Sequence, residues 1–363
     1  DKLRENAALY PDKVALVCGE KSLTYRQLYQ AIKDKADSMG DIRGCLIPIV
    51  AYSTVDFFIT YFALHLTGAV AVPLHKDIPA KKLNDYAETL EQGIVPEEVA
   101  DILFTTGTTG NAKAVMISYQ AIIANAENLV LSQGFSHDVT FIINGPLNHI
   151  GSLSKVYPTI YVGGTIHVID GMKDIKAFFT AIDDAPNKVA TFLVPAAIRI
   201  LITLWKKELI AVADKIDFVE TGAAPLAATD MKLFCELLPH SRLYNTYAST
   251  ETGIISTYDY NDGANLAGCV GHKMKHSSFF ITADGYVACK GKTLMTGYWN
   301  DEEATRNVLK DGVIRTADLG RIDEKGRLRL LGRGDDTINV GGYKVAPSEV
   351  EEVALAFPTV KDC

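Results

Sequence analysis

The run Ile102-Leu103-Phe104-Thr105-Thr106-Gly107-Thr108-Thr109-Gly110-Asn111-Ala112-Lys113-Ala114-Val115-Met116-Ile117 holds more chemical information than any other part of this chain. An apolar strand enters a loop of four threonines and two glycines, and a lysine leads into a second apolar strand. Hydroxyls and unobstructed backbone N–H groups can wrap a polyphosphate, and Lys113 adds a point charge. A polar hairpin loop with a chance lysine has the same composition, and the residues alone leave both readings open. Two other phosphate loops fail on spacing. Counted from Gly107, a nucleotide-kinase loop requires Gly at Ala112 and Ser or Thr at Ala114, and its glycines open a helix. No Gly-x-Gly-x-x-Gly follows a strand here either.

Outward from this loop, helical and strand signals alternate, which predicts an α/β architecture. Lys13 to Cys18 reads as a strand, Gly19-Glu20 as a turn, and Thr24 as the cap of a helix running to about Met39. Val189 to Val194 and Ile216 to Val219 are short enough for buried strands, and Ile198 to Val212 carries a helical apolar stripe. Its Lys206, Lys207 and Glu208 read as a solvated face. The apolar stretch Phe57 to Leu74 contains His65 and is broken by Gly68 and Pro73, so it reads as a buried helix running into a strand, not a membrane span. Arg321-Ile322-Asp323 and Arg327 to Leu331 flank Glu324-Lys325-Gly326 as a hairpin, Gly332 to Asp336 reads as a hinge, and Pro347 begins a short helical pattern.

At 363 residues the chain should hold two or three globular units. Lys and Arg number 36 against 44 Asp and Glu, a net charge of -8 with no basic cluster, so nucleic acid is not expected as a partner. Any phosphate must be held by a few aimed groups. The six cysteines lack the paired spacing of a zinc site or disulfide framework, and the first residues open no signal peptide, so a cytoplasmic location is expected.

The Thr/Gly loop with its lysine resembles the phosphate-binding signature of the adenylate-forming superfamily, which holds acyl- and aryl-CoA synthetases, adenylation domains of nonribosomal peptide synthetases, and luciferases. The resemblance recurs in order along the chain. Gly222-Ala223-Ala224-Pro225-Leu226 is similar to the adenine-side turn, and Asn245-Thr246-Tyr247-Ala248-Ser249-Thr250-Glu251 to the Tyr-Gly-x-Thr-Glu element. Arg315-Thr316-Ala317-Asp318 resembles the Thr-Gly-Asp ribose motif, and Gly332 to Asp336 and Gly341 to Glu351 resemble the hinge and the segment after it. The implied fold is a multi-layer α/β sandwich with a small β-barrel subdomain. Residues 1–333 would form the large AMP-binding domain, and 334–363 the hinge and the first part of a C-terminal lid whose remainder is absent from this chain.

The resemblance implies ATP-dependent activation of a small-molecule carboxylic acid to acyl-AMP, with pyrophosphate released, then transfer to CoA. The alternative is transfer to the phosphopantetheine thiol of an acyl carrier protein. Hydroxide is a poor leaving group and AMP a good one, so such an enzyme must neutralise polyphosphate, orient the acid and exclude water. Carried over residue by residue, Thr105, Thr106, Gly107, Thr108, Thr109, Gly110 and Lys113 would hold the phosphates, Thr250 would touch the α-phosphate, and Glu251 would bind Mg²⁺. Gly222, Ala223, Ala224, Asn245, Thr246 and Tyr247 would surround adenine, while Asp318 would accept from the ribose hydroxyls with Arg333 nearby. Gly145-Pro146-Leu147-Asn148-His149-Ile150-Gly151 would place His149 at the mouth of the carboxylate pocket. No aspartate stands there to bind an ammonium, which favours an acid without an α-amino group. Asp335 matches the hinge residue and Gly342 the glycine approached by CoA.

Several positions depart from the pattern. Ala112 replaces a proline, and Ala114, Ala248 and Ala317 replace glycines; wherever one of those three needs a positive φ, alanine costs about 1 kcal/mol or more. Only Leu74 to Ala100 joins two strands that the family separates by a further strand-helix-strand passage, so either the sheet is reduced or residues are missing there. The lid lysine that contacts the carboxylate and α-phosphate is not among these residues.

Overall fold

The structure is a computed structural model and describes residues 1–79, 95–105, 113–264 and 266–336, together with 338–340, 343–345 and a few positions from 350 to 360. Local signals set the element ends. Thr24 and Gln27 form a reciprocal capping box at the start of helix Tyr25–Met39. Thr54 caps helix Val55–Thr67, which Gly68 stops in a left-handed conformation before strand Val70–Leu74. The apolar stretch that could have been taken for a membrane span is this helix and this wholly buried strand. No described helix is long and apolar enough to cross a membrane.

Among the described residues, the largest sheet has eight strands in the order Gly253–Asp259, Arg242–Ser249, Ile216–Thr221, Val189–Phe192, Thr140–Ile143, Thr165–Val168, Val14–Cys18 and Lys21–Thr24. The inner six run parallel, and each edge strand is antiparallel to its neighbour. A second, five-stranded sheet runs Gly297–Tyr298, Ala114–Ser118, Val99–Phe104, Val70–Leu74 and Leu46–Val50. Helices Tyr25–Met39, Val55–Thr67, Tyr119–Gln133 and Ile150–Tyr161 contribute to one core that also takes side chains from both sheets, Leu103 and Val115 from one, Phe141 and Phe218 from the other. A separate core lies on the other face of the large sheet, under helices Ile175–Asp184, Pro195–Leu204 and Ala228–Leu237. This layering is the α/β sandwich expected.

A third, antiparallel sheet forms the small β subdomain: Cys269–Gly271, Leu328–Arg333, Val313–Ile322, Tyr286–Gly291 and Ser277–Ile281. The hairpin read around Glu324-Lys325-Gly326 joins its two longest partners. Beyond the 3-10 turn Gly334–Asp336, which contains Asp335, strands Ile338–Val340 and Tyr343–Val345 pair with each other.

Two elements differ from their sequence reading. The helical stripe from Ile198 to Val212 is two helices, Pro195–Leu204 and Lys206–Ala211, because Trp205 leaves helical angles at φ -124 and ψ 28. The strand read from Val189 to Val194 stops at Phe192, because Pro195 opens the next helix. The alanines at glycine positions carry no left-handed strain: Ala114, Ala248 and Ala317 lie in strands, and the described non-glycine residues at positive φ are Ala223, Asn300 and Asp311. Thr106, Gly107, Thr108, Thr109, Gly110, Ala112 and Gly342 lie outside the described residues.

Candidate active site

In an open parallel sheet, ligands collect where strands end at their carboxyl side. Here four neighbouring strands deliver candidate residues to one edge. Strand Thr140–Ile143 leads to His149, Val189–Phe192 ends on Phe192, Ile216–Thr221 runs into Gly222-Ala223-Ala224, and Arg242–Ser249 into Thr250-Glu251. The five-stranded sheet adds Thr105 and Lys113, which flank the predicted phosphate loop. Its two stems are zipped together: the Thr105 N–H donates to the Lys113 carbonyl at 3.0 Å, and the Lys113 N–H to Thr105 Oγ1 at 3.3 Å.

Thr250 and Glu251 sit at the tip of a tight turn. Ser249 and Thr252 close it reciprocally, the Thr252 N–H donating to Ser249 Oγ at 3.0 Å and the Ser249 N–H to Thr252 Oγ1 at 3.1 Å. Gly253 follows at φ +62, where a Cβ would come within 2.5 Å of the Thr293 carbonyl, so only glycine fits. The Met295 N–H then donates to the Glu251 carbonyl at 2.8 Å.

Tyr298 brings the predicted cation and carboxylate together. Its strand pairs with the one after the loop, Tyr298 opposite Val115. The phenol donates to Glu251 Oε1 at 3.0 Å, and Lys113 Nζ lies 4.6 Å from the ring centroid. Burial and the Glu251 charge raise the phenol's pKa, so it remains a donor. Among the described residues no three His, Cys, Asp or Glu converge as a metal cage. One carboxylate that shares Tyr298 with Lys113 nonetheless suits Mg²⁺, which takes few protein ligands and shares phosphate oxygens.

The nucleotide-side residues fall into two groups. Asp318 is presented by a bulge: Ala288 pairs with Arg315 and Tyr286 with Leu319, so Thr316 to Asp318 stand opposite the single residue Val287 of that neighbouring strand. Asp318 Oδ2 accepts from the Tyr247 phenol at 2.6 Å and the residue pairs in register with Arg333. Burial, then the Asp318 charge, pushes the Tyr247 pKa up. Gly222 passes so close to the Thr246 carbonyl that a Cβ would stand 2.7 Å from it, and Ala223 and Ala224 are exposed, Ala223 at φ 68. Asn245 and Thr246 are turned inward. The Asn245 amide donates to Tyr260 at 2.7 Å and to the Cys269 carbonyl at 3.0 Å, so only its carbonyl oxygen is left for adenine. The Thr246 hydroxyl accepts from Gln133 at 3.1 Å.

His149 is half-buried at the start of helix Ile150–Tyr161. Burial, and secondarily His75, lower its pKa, favouring neutral imidazole. Sequence reading missed Tyr298 and His75. Tyr298 is identified by a strand pairing that no local pattern announces, whereas His75, next to an apolar strand end, was at least visible as a polar residue at a strand's carboxyl end.

The model of the AMP-binding enzyme family matches residues 3–92 and 84–299. A 2-succinylbenzoate–CoA ligase of Bacillus cereus (strain AH820) is 26% identical over 417 residues, covering 99% of this chain and 83% of its own. The indoleacetate–CoA ligase of Aromatoleum aromaticum is 26% identical over 430 residues, covering 98% and 82%. Both alignments are longer than the 363 residues of this chain, so these relatives carry segments that it lacks. The fold matches that of ATP-bound MatB from Rhodopseudomonas palustris at a TM-score of 0.87 and 22% identity, over 99% of this chain and 84% of the other. It also matches o-succinylbenzoate CoA synthetase from Bacillus subtilis in complex with the acyl-adenylate intermediate OSB-AMP, at 0.85 and 22%, over 99% and 84%.

Proposed function

The chain belongs to the AMP-binding enzyme family, and from that premise we propose that it is an acid–thiol ligase, joining a carboxylic acid to AMP at the expense of ATP and passing the acyl group to CoA. The convergence of Lys113 and Glu251 on Tyr298 is the observation that carries this reading. It supports a reading in which Lys113 is the phosphate-binding cation and Glu251 the Mg²⁺ ligand of one site, built from two different sheets. Magnesium, when bound, withdraws charge from the polyphosphate. The chain's own groups do the rest. Lys113 and the Thr105 stem fix the phosphates, Thr250 meets the α-phosphate, and Asp318 with Tyr247 fixes the nucleoside. Neutral His149 stands where the acid's carboxylate enters. The succinylbenzoate and indoleacetate specificities of the relatives support an aryl-bearing acid.

The division at residue 333 is part of the same proposal. Strand Leu328–Arg333 closes the antiparallel sheet, and the hairpin beyond Asp335 pairs, among the described residues, only with itself. Gly342 is assigned to the CoA side on motif order. Among the described residues Cys18, Cys45, Cys235, Cys269 and Cys289 are free thiols, as suits a reducing, cytoplasmic setting. Acid-dependent pyrophosphate release, measured with and without CoA over aliphatic and aryl acids, tests the reading. Release that rises with CoA and yields a thioester is expected. Exchange of pyrophosphate into ATP that ignores CoA would assign the acceptor role to a carrier protein instead, and Mg-ATP binding with no acid-dependent release would refute the activity.

A further inference from the structure

Among the described residues, strand Gly253–Asp259 is one edge of the eight-stranded sheet, and it begins two residues after Glu251. Helix Tyr119–Gln133 supplies side-chain amides to it where a further strand would supply peptide groups. Asn125 Oδ1 accepts from the Ile254 N–H at 2.7 Å, and Asn128 Nδ2 donates to the Ile254 carbonyl at 3.4 Å. Both amides are buried. Asn125 also donates to the Ala121 carbonyl at 2.9 Å, one turn back in its own helix, which fixes the orientation of its amide. A buried asparagine inside a helix is disfavoured by propensity and by burial, so its place here is explained by what it holds.

The Asn125 amide reaches the Thr250-Glu251 turn itself. A Cβ on Gly253 would stand 2.5 Å from the Thr293 carbonyl and 2.7 Å from Asn125 Oδ1, so the backbone at Gly253 is wedged between those two groups. Glu251 is thus held from two sides. On one, the Met295 N–H donates to its carbonyl at 2.8 Å. On the other, Asn125 holds it through Gly253 and Ile254. The helix that carries Asn125 is capped by Ser118, at the end of the strand that leaves Lys113. Chain connectivity therefore ties Lys113 to Asn125, and one buried hydrogen bond ties Asn125 to the turn of Glu251. This link between the two charges is independent of Tyr298.

We propose that Asn125 is a positioning residue for Glu251: it fixes the Gly253-Ile254 backbone, and with it the direction of the carboxylate assigned to Mg²⁺. Mg²⁺ accepts ligands only near ideal distances and angles, so a shift of that backbone is read in metal affinity before it is read in affinity for the acid. The inference rests on the proposed assignment of Glu251 as metal ligand. Asn125→Leu is the decisive variant, because it has as many side-chain atoms and makes neither bond. It also keeps water out. Asn125 lines a void of about 20 Å³ with Asp101, Ser154 and Tyr157, room for one water, and Asn125→Ala would enlarge it toward the Ile254 N–H.

Calorimetry of ATP binding with and without Mg²⁺ gives the contribution of the metal apart from turnover, and pyrophosphate release gives KM for the acid. In Asn125→Leu the ratio of the two ATP affinities is expected to fall about fivefold or more, with KM for the acid little changed. Asn125→Asp, which keeps an oxygen for the Ile254 N–H, is expected to recover most of that ratio. In the Glu251→Ala background Asn125→Leu should change nothing further, because its effect passes through that carboxylate. Leu28→Ala, a core truncation in the helix packed against the opposite edge of the sheet, is expected to lower Tm and leave the ratio intact. An unchanged ratio in folded Asn125→Leu, an equal fall in Leu28→Ala, an effect that persists without Glu251, or wild-type ATP binding that ignores Mg²⁺ overturns the inference. If circular dichroism shows Asn125→Leu unfolded, Asn125→Ala is read by the same criteria, with a fall of about twofold expected because water replaces part of the bond. A Mg²⁺ ratio that responds to Asn125, without acid-dependent pyrophosphate release, removes the ligase reading and leaves this one standing. Release with an unchanged ratio does the reverse.

Discussion

Tyr298 couples two charges that would otherwise meet directly. With the phenol donating to Glu251 Oε1 and Lys113 resting on the ring, the proposed metal ligand and the proposed phosphate-binding cation share one neighbour. Tyr298→Phe retains the ring and removes the hydrogen bond, freeing Glu251 to turn toward Lys113. A hydrogen bond to a charged group is worth about 1.5–3 kcal/mol, so the Mg²⁺ needed for half-maximal pyrophosphate release should rise by roughly tenfold or more, with KM for the acid little changed. An unaltered Mg²⁺ titration would remove Tyr298 from the metal site. His149 yields a pH prediction. Its pKa is depressed below 6.5 by burial first and by His75 second. Between that depressed value and 6.5 the unfolded chain binds the proton that the folded one refuses, so this residue's contribution to stability is present above 6.5 and is lost as the pH falls through the folded value. The acid limb of activity should therefore lie below the ordinary histidine range. His75→Gln should move it upward; a limb unmoved by that change would show that His149 titration does not control activity.

At the level of elements, the turn after strand Ile216–Thr221, proposed above for the adenine side, stores strain. Ala223 has φ 68, a conformation costing a non-glycine residue about 1–2 kcal/mol. Ala223→Gly relieves that cost but loosens the unfolded chain by about 0.4–1 kcal/mol, for a net gain near 0.5–1 kcal/mol in denaturant unfolding. The same release should loosen the turn and raise KM for ATP a few-fold; a loss of stability would contradict the strain. Elements like this one mark the border of what the sequence discloses. Helix Tyr25–Met39 was legible because its capping box is four residues long, and the phosphate-loop hairpin because its stems are apolar and its loop is polar. Asp318 and Glu251 were legible through ordered motifs. The inward turn of Asn245 was not, because Tyr260 and Cys269 reach it only once the strands are paired. Tyr298 escaped for the same reason, its meaning lying in a register with Val115 far away along the chain. Lys155 drew no reading from the sequence, because its partner Glu220 comes from a distant strand and meets it only in the packed fold.

Across the whole molecule the proposed site draws on all three large sheets. Lys113 and Tyr298 come from the five-stranded sheet, Glu251 from the end of an eight-stranded one, and Asp318 from the antiparallel subdomain. A ligand that touches all of these must stabilise the fold as a unit, because it binds only when the sheets are mutually placed. Mg-ATP at about 100 times its dissociation constant should add about 2.7 kcal/mol, which for a chain of this length is a rise of roughly 3–4 °C in Tm. Each sheet's share can then be removed separately. Asp318→Ala, losing hydrogen bonds to the ribose worth about 2 kcal/mol, should cut the rise at the same ATP concentration to roughly 1 °C, with or without metal. Glu251→Ala should instead erase the difference between Mg-ATP and ATP alone. Thermal unfolding in the four combinations of metal and nucleotide separates these outcomes. If Asp318→Ala responded to Mg-ATP like wild type, the antiparallel sheet would have no part in nucleotide binding, and the three-sheet site would reduce to the Lys113–Tyr298–Glu251 junction alone.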